Sequence, residues 1–239
     1  MAGGWRIEGY GRSVRGAELR VYVPPQPRHL IVAGLHGEEP ETVLLARGIL
    51  DRVDAATATC AVVVCANPDG VADGMRQNAR GVDLNRNFPG ATWREGTAPS
   101  YPAGIDPAQR VPANRTNVSS TGAAPLSEPE SAALAALVER LEPALVLDLH
   151  APLELVLTTP LVPEAVAREL AEAAGMEVTD DIGSPVPGAL RDWLGDNGVP
   201  CITYEVEHAG LPALYARHLP GLIAFACRDV TRTHAVSRD

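Results

Sequence analysis

Several residue types are scarce or absent in this chain, and each absence excludes a class of protein. Lysine is absent, so all 20 basic residues are arginine, and 30 acidic residues leave a formal net charge of −10. Nucleic-acid binding needs a basic surface that neutralises phosphates. We therefore expect no nucleic-acid partner.

Cysteines and long apolar runs are scarce as well. Cys60 and Cys65 fall on opposite faces of a predicted strand and so cannot form a disulfide with each other. We expect all four cysteines to be reduced and to lie in or near the core. No apolar run reaches the roughly 18 residues of a membrane span, and residues 1–16 lack the apolar segment of a secretory signal. These absences favour a cytoplasmic protein with no membrane partner.

Short apolar runs alternate with helical spacing along the 239 residues. Runs rich in Val, Leu and Ile, typical of strands covered on both faces, occupy residues 17–23, 29–35, 60–66, 144–150 and 201–207. Helical spacing occupies residues 41–53, 128–141, 163–175 and 211–230. The alternation predicts a single α/β domain over residues 1–239, with a mixed, mostly parallel central sheet and helices on both faces.

Residues 88–127 show neither strand-like apolar runs nor helical spacing, and they are rich in Pro, Gly, Ser and Thr. An irregular stretch of this length is unusual inside a compact domain, and such loops often form the walls of binding sites. We expect this loop to border a cleft.

Histidine and glutamate follow three of the predicted strands. His36 and Glu39 come directly after the run at 29–35, His150 ends the run at 144–150, and Glu205 lies near the end of the run at 201–207. Ligands collect at the carboxyl ends of strands in such sheets, and two imidazoles with one carboxylate are a catalytic zinc donor set. Taken alone, "HGEE" is weak evidence and is more typical of a solvated loop whose acids favour the start of a helix.

The block "NPDGVADGMRQNARGVDLNRNFP" at 67–89 resembles the zinc carboxypeptidase family, the relatives of carboxypeptidase A. The pair His36 and Glu39, this block, His150 and "ITYE" at 202–205 occur in the family's order. The resemblance extends from about residue 9 to near residue 225. It implies a mixed eight-stranded sheet, one Zn²⁺ per chain, and a peptide substrate with a free C-terminal carboxylate.

The resemblance also implies roles for individual residues. His36, Glu39 and His150 would hold the zinc ion, and Glu205 would be the general base. Arg76 would steady the carbonyl oxygen as it gains negative charge. These assignments have rivals nearby in the sequence, namely Glu38 (expected to face solvent), Glu207 and Arg80.

Three residues near the end of the block receive roles in the same way. Asp83 would buttress a zinc-bound histidine, here His36, with a turn-capping aspartate as the alternative. Asn85 and Arg86 would bind the terminal carboxylate of the substrate, for which the arginine fork is suited. Outside this block, "NRN" would indicate no more than a polar turn.

The sequence departs from the family pattern around Trp193. Nine residues before it, where the family carries a mobile tyrosine, stands Ser184, so the hydroxyl comes from Tyr101, from Tyr204, or is dispensed with. Two residues before it, at the base of the family's pocket for the departing residue, stands Arg191. An arginine there predicts a leaving residue with an acidic side chain; the alternative is an exposed helix arginine.

Within the family, the resemblance is to small bacterial members without a propeptide. It implies hydrolysis of the γ-D-glutamyl–diaminopimelate bond in murein-derived peptides. Two alternatives within the same chemistry are a carboxypeptidase for acidic C-terminal residues and a zinc deacylase of the succinylglutamate desuccinylase or aspartoacylase type. A third alternative, from another class, is a binding protein that keeps the pocket without turnover.

Overall fold

A twisted sheet crosses the molecule and carries the site at one end. The computed structural model describes residues 4–100, 118–182 and 186–228. Its strands are β1 (Arg6–Arg12), β2 (Glu18–Val23), β3 (His29–Val32), β4 (Cys60–Val63), β5 (Thr97–Pro99), β6 (Val118–Ser120), β7 (Val146–His150), β8 (Leu155–Leu157), β9 (Glu177–Thr179) and β10 (Cys201–Glu205). Its helices are α1 (Pro40–Arg52), α2 (Pro68–Asp73), α3 (Pro129–Leu141), α4 (Glu164–Ala174), α5 (Leu190–Asp196) and α6 (Leu211–Ala226).

Within the described residues, eight strands form the main sheet in the order β1-β2-β4-β3-β7-β10-β8-β9. Strands β4, β3, β7 and β10 are parallel neighbours, whereas β1, β2 and β4 pair antiparallel and β8 pairs antiparallel with β10. The predicted mixed, mostly parallel sheet is confirmed. All five predicted strands are present, and the short strands β8 and β9 were not predicted.

The two faces of the sheet are buried by different helices. Helices α1, α4 and α6 pack on one face, on residues such as Ile31, Leu147 and Tyr204. Helices α3 and α5 pack on the other face, which includes Val32 and Val146. The prediction of helices on both faces is therefore confirmed. Since strand residues alternate between faces, residues two apart near a strand end project into the same site.

The loop predicted at 88–127 contains regular structure where it is described. Strands β5 and β6 pair antiparallel as a small ribbon. The buried Asn87 fastens the segment that follows, because its amide donates to Thr121 O, Ala124 O and Ser127 Oγ. The end of β5 is held separately, because Arg86 Nη2 donates to Pro99 O at 2.8 Å.

Two expectations about composition can be compared with the structure. All four cysteines are free, and Cys60 and Cys201 are buried, but Cys227 is exposed, so its expected place in or near the core is wrong. None of the helices in the described part of the chain has both the length and the hydropathy of a membrane-spanning helix.

Candidate active site

The turn after β3, which contains Gly37, packs against Gly70 in α2, the short helix that follows β4. A Cβ at Gly37 would lie 2.0 Å from the carbonyl carbon of Gly70, so the two backbones meet where a side chain has no room. Asn67 caps the N-terminus of α2, because its side chain accepts a hydrogen bond from Gly70 N. This close approach fixes the turn that carries His36 and Glu39 at the edge of the sheet.

The side chains of His36, Glu39 and His150 meet at that edge. His36 Nδ1 lies 2.7 Å from Glu39 Oε1 and 3.1 Å from His150 Nδ1. His150 Nδ1 lies 3.1 Å from Glu39 Oε2. All three residues are buried, and one ligand atom from each lies within 4.8 Å of the others. Residues distant in sequence therefore present three metal-ligating groups to one point.

An aspartate contacts the outer nitrogen of each histidine. Asp83 Oδ1 lies 3.1 Å from His36 Nε2, and Asp148 Oδ2 lies 2.8 Å from His150 Nε2. A carboxylate at Nε2 keeps the ring proton there and directs the Nδ1 lone pair inward. Two such lone pairs 3.1 Å apart, beside a carboxylate, repel one another unless a cation lies among them. The donor set therefore fits a metal ion.

Sequence reasoning identified Asp83 but missed Asp148. The available signal was the spacing in "LDLH", because residues two apart on a strand share a face. Asp148 and His150 both lie on β7, which makes their contact a consequence of the strand itself.

The charges buried around the cluster also fit a divalent cation. Arg76 and Arg86 are the buried guanidinium groups there. The buried carboxylates beside them are Glu38, Glu39, Asp83 and Asp148. With both imidazoles neutral, as they are when they bind a metal, the formal charges leave an excess of two negative charges, which one divalent ion would balance. Buried charge without compensation is costly.

The pKa shifts of two cluster residues follow from the same crowding. Burial favours the neutral form of Glu39, but His36 and His150 outweigh it and hold the pKa of Glu39 well below its usual range. Burial also opposes the charged form of His150, yet Asp148 and Glu39 raise its pKa well above the usual value. Glu39 is thus kept as a carboxylate, the form that binds metals.

Arg76 lies beside the cluster of His36, Glu39 and His150, and three carboxylates surround its guanidinium group. Its Nε donates to Asp83 Oδ2 at 2.7 Å, and its Nη1 lies 3.4 Å from Glu38 Oε1 and 3.6 Å from Glu39 Oε1. Glu38 is therefore buried, and the expectation that it faces solvent is wrong, because its carboxylate packs against the guanidinium of Arg76. The rival Arg80 has an exposed side chain 3.6 Å from Glu128.

Glu205 lies opposite His150 in the parallel pairing of β7 with β10, and both line one cavity. Its Oε2 accepts a hydrogen bond from Leu153 N at 3.3 Å. Burial raises the pKa of Glu205 to about 7, with His150 lowering it and Glu39 raising it. The rival Glu207 is not among the residues described as lining the cavity.

The half-buried side chain of Glu207 pairs instead with Arg217 and His218 of α6. His218 Nε2 lies 2.6 Å from Glu207 Oε2, and His218 Nδ1 lies 2.9 Å from the Tyr204 hydroxyl. Burial lowers the pKa of His218, although Glu207 opposes that shift. Tyr204 is fully buried there, so it is not placed to supply a hydroxyl to the cavity. Tyr101 lies outside the described residues.

Asn85 and Arg86 line the same cavity. Asn85 Oδ1 accepts from Leu190 N at 2.8 Å, which ties the turn to the start of α5. Arg86 Nη1 donates to Asn85 O at 2.9 Å and Nη2 donates to Pro99 O at 2.8 Å. The third nitrogen of the guanidinium, Nε, is buried and has no hydrogen-bond partner among the described residues. An acceptor group entering the cavity would satisfy it.

Arg191 also lines the cavity, near the start of α5. Its side chain is 19% exposed and pairs with Asp192 at 3.2 Å. Its Nη1 is buried without a hydrogen-bond partner in the part of the chain that is described. Ser184 lies outside the described residues.

Comparisons with known proteins agree with this geometry. The family model of the zinc carboxypeptidases matches residues 10–162. Murein peptide amidase A of Escherichia coli K12 is 35% identical over 231 residues, covering 95% of this chain and 90% of that protein. Murein peptide amidase A of Vibrio campbellii is 33% identical over 225 residues, covering 92% of this chain and 87% of that protein.

Solved structures support the same placement. The crystal structure of murein-tripeptide amidase from Escherichia coli O157 superposes with a TM-score of 0.84 at 33% identity, covering 96% of each chain. Bovine thrombin-activatable fibrinolysis inhibitor has a TM-score of 0.74 at 18% identity, covering 94% of this chain and 89% of that chain, which shows a shared fold. The family model matches more than half of the chain, and the relatives align with more than 90% of it. Both findings agree with the resemblance in the sequence motifs, and the chain belongs to the zinc carboxypeptidase family.

Proposed function

We propose that this protein is a zinc-dependent hydrolase that cleaves the amide bond before the C-terminal residue of a murein-derived peptide. The observation that carries the proposal is the convergence of His36, Glu39 and His150 beside Glu205 in one cavity. The murein peptide amidases, which are 33–35% identical to this chain, support the substrate class. The particular bond is γ-D-glutamyl–diaminopimelate, as the sequence resemblance implies.

Zinc would be held by His36 Nδ1, His150 Nδ1 and a carboxylate oxygen of Glu39. The inward-facing lone pairs and the excess of buried negative charge support this assignment. When bound, the ion would polarise the scissile carbonyl and lower the pKa of a water molecule. Asp83 would keep the proton of His36 on Nε2.

Glu205 would take a proton from the attacking water and deliver it to the leaving amine. Burial raises the pKa of Glu205 in the metal-free chain, which favours a carboxylate that can accept a proton and return it. Arg76 would donate to the carbonyl oxygen as negative charge develops there. Its ion pairs with Asp83 and Glu38 hold the guanidinium in place before the substrate arrives.

Arg86 and Asn85 would bind the terminal carboxylate of the peptide. The support is the unsatisfied Nε of Arg86, since a carboxylate is the acceptor that a buried guanidinium matches best. Arg191 would face the side chain of the leaving residue and favour an acidic one. Ser184, at the position of the family's mobile tyrosine, stays a prediction for substrate contact.

We further propose that residues 1–239 act as one peptidase domain and that the loop at 88–127 borders the cleft. The hydrogen bonds from Arg86 to Pro99 and to Ser100, which lines the cavity, support the second point. A cytoplasmic location is supported by the unpaired cysteines, which suit a reducing compartment.

Hydrolysis by the Glu205→Gln variant tests the proposal. The substrates are L-alanyl-γ-D-glutamyl-diaminopimelate, an ordinary peptide ending in glutamate, and an N-acyl amino acid, with products identified by mass spectrometry. The zinc-loaded protein should release diaminopimelate fastest. Glu205→Gln should lower kcat by about 10³-fold because the general base is lost, while zinc content stays unchanged.

Glu207→Gln is the matched control, because it removes a carboxylate two residues away that pairs with His218 instead of lining the cavity. Its kcat should stay within a few-fold of the unaltered protein. Preferred cleavage of the glutamate-ended peptide or of the acyl amino acid would replace the proposed substrate with the corresponding alternative. Peptide binding without any hydrolysis by the zinc-loaded protein would indicate a binding protein.

A further inference from the structure

The two aspartates that contact the cluster histidines differ in what else they touch. Asp83 contacts His36 and is also bound by Arg76 at 2.7 Å, with Arg86 at 3.9 Å. Asp148 contacts His150 Nε2, and its other oxygen, Oδ1, is buried with no hydrogen-bond partner among the described residues. The charge of Asp83 is therefore shared among cations, whereas that of Asp148 is directed at one imidazole.

Among the described residues, only His150 is placed to offset the burial of the Asp148 carboxylate. Asp148 is 1% exposed and lies in the sheet between Val32 of β3 and Thr203 of β10. Within the described chain, no arginine forms an ion pair with it. A carboxylate in such a place is costly for the fold unless a hydrogen-bonded partner offsets it. His150 is that partner. Any effect of Asp148 on the site therefore acts through the imidazole of His150 and the group that this imidazole binds.

We propose that Asp148 is a positioning residue that fixes His150 with its proton on Nε2 and thereby raises the affinity of the cluster for a divalent ion. A carboxylate at 2.8 Å holds the proton on the outer nitrogen, turns the Nδ1 lone pair toward His36 and Glu39, and makes the imidazole a stronger electron donor. The inference rests on the proposed function for its metal and adds a residue that sets how tightly the metal is held.

The zinc affinity of the full chain tests this directly. Protein stripped with a chelator is titrated with zinc in competition with a chromophoric chelator, for the unaltered chain and for Asp148→Asn and Asp148→Ser. Both variants should bind zinc about 10- to 100-fold more weakly. Asp192→Asn is the control, because it removes a carboxylate close to the cavity that pairs with Arg191 instead of a histidine; its Kd should change by less than about twofold.

A second measurement identifies which ring nitrogen of His150 binds zinc. A purely structural role of Asp148 makes no prediction about that nitrogen. In ¹⁵N NMR spectra of the zinc-loaded, unaltered protein, His150 should coordinate through Nδ1 and carry its proton on Nε2. Coordination through Nε2 would overturn the inference, whether or not the variants fold. Unchanged zinc affinity in a folded Asp148→Asn or Asp148→Ser variant would also overturn it.

Failure of this inference and failure of the proposed function give different results. If the unaltered chain does not bind zinc, the proposed metal site is wrong. If the unaltered chain binds zinc tightly and the Asp148 variants bind it equally well, the metal site stands and the role of Asp148 is wrong.

Discussion

Arg191 is the residue whose surroundings bear most directly on the choice of substrate. Its Nε and Nη2 are engaged by Asp192, while Nη1 is buried and has no hydrogen-bond partner within the described residues. A guanidinium that is mostly buried and incompletely bonded favours a ligand that brings an acceptor with negative charge. At the scale of a residue, this is the physical reason to expect an acidic leaving residue.

Arg191→Ala should remove that preference. The kcat/KM for a peptide with a leaving glutamate, divided by that for a peptide with a leaving leucine, should fall by about tenfold or more. A charge-assisted hydrogen bond contributes about 1.5–3 kcal/mol. Arg191→Lys keeps the charge but loses the fork, so it should retain part of the preference. An unchanged ratio in Arg191→Ala would show that this side chain does not contact the leaving residue.

Strand geometry alone did not separate Glu205 from Glu207, because residues two apart in a strand share a face. The family motif favoured Glu205, and β10 ends at that residue, so Glu207 lies beyond the strand, where the alternation no longer applies. Glu38 lies in a turn, where no period predicts direction, and its burial against Arg76 was not foreseen. Asp148 was predictable from its spacing but had no motif to draw attention to it.

At the level of secondary-structure elements, the site depends on the close contact between the turn after β3 and helix α2, which follows β4. Gly37 and Gly70 meet there without room for a side chain. The resemblance to the family indicated both segments, but not that they touch, because that contact arises only from the parallel pairing of β3 with β4. Strands β8 and β9, of three residues each, are too short for a periodic pattern to predict.

Gly37→Ala should therefore disrupt the metal-ligating turn. The new Cβ would lie 2.0 Å from the carbonyl carbon of Gly70, and backbone atoms cannot move aside as a flexible side chain can. We expect a loss of about 3 kcal/mol in the free energy of unfolding and weaker zinc binding. Denaturant unfolding and chelator competition measure the two effects.

Gly195→Ala is the matched control for this substitution. Gly195 lies inside α5, and a Cβ there would meet nothing within 4 Å. Alanine favours a helix over glycine by about 1 kcal/mol, so this variant should be as stable as the unaltered protein or more stable. If Gly37→Ala were as stable as the unaltered protein, the close contact between Gly37 and Gly70 would not be required for the fold.

At the scale of the whole molecule, the fold brings together groups that the sequence keeps far apart. His36 and His150 are separated by 114 positions, and their strands β3 and β7 are nearest neighbours in the sheet. The order of strands was not derivable from periodicity, because alternating strands and helices are compatible with several parallel arrangements. Family resemblance supplied the architecture, and the buried charges supply an independent physical reason for a divalent ion.

We infer that one zinc ion is held by His36, Glu39 and His150. The most direct measurement is anomalous X-ray diffraction from zinc-loaded crystals at wavelengths on either side of the zinc absorption edge. We predict one peak about 2.0–2.2 Å from His36 Nδ1, His150 Nδ1 and a Glu39 oxygen. A zinc peak bound by other residues, or no peak between the two imidazoles in fully loaded crystals, would contradict the account.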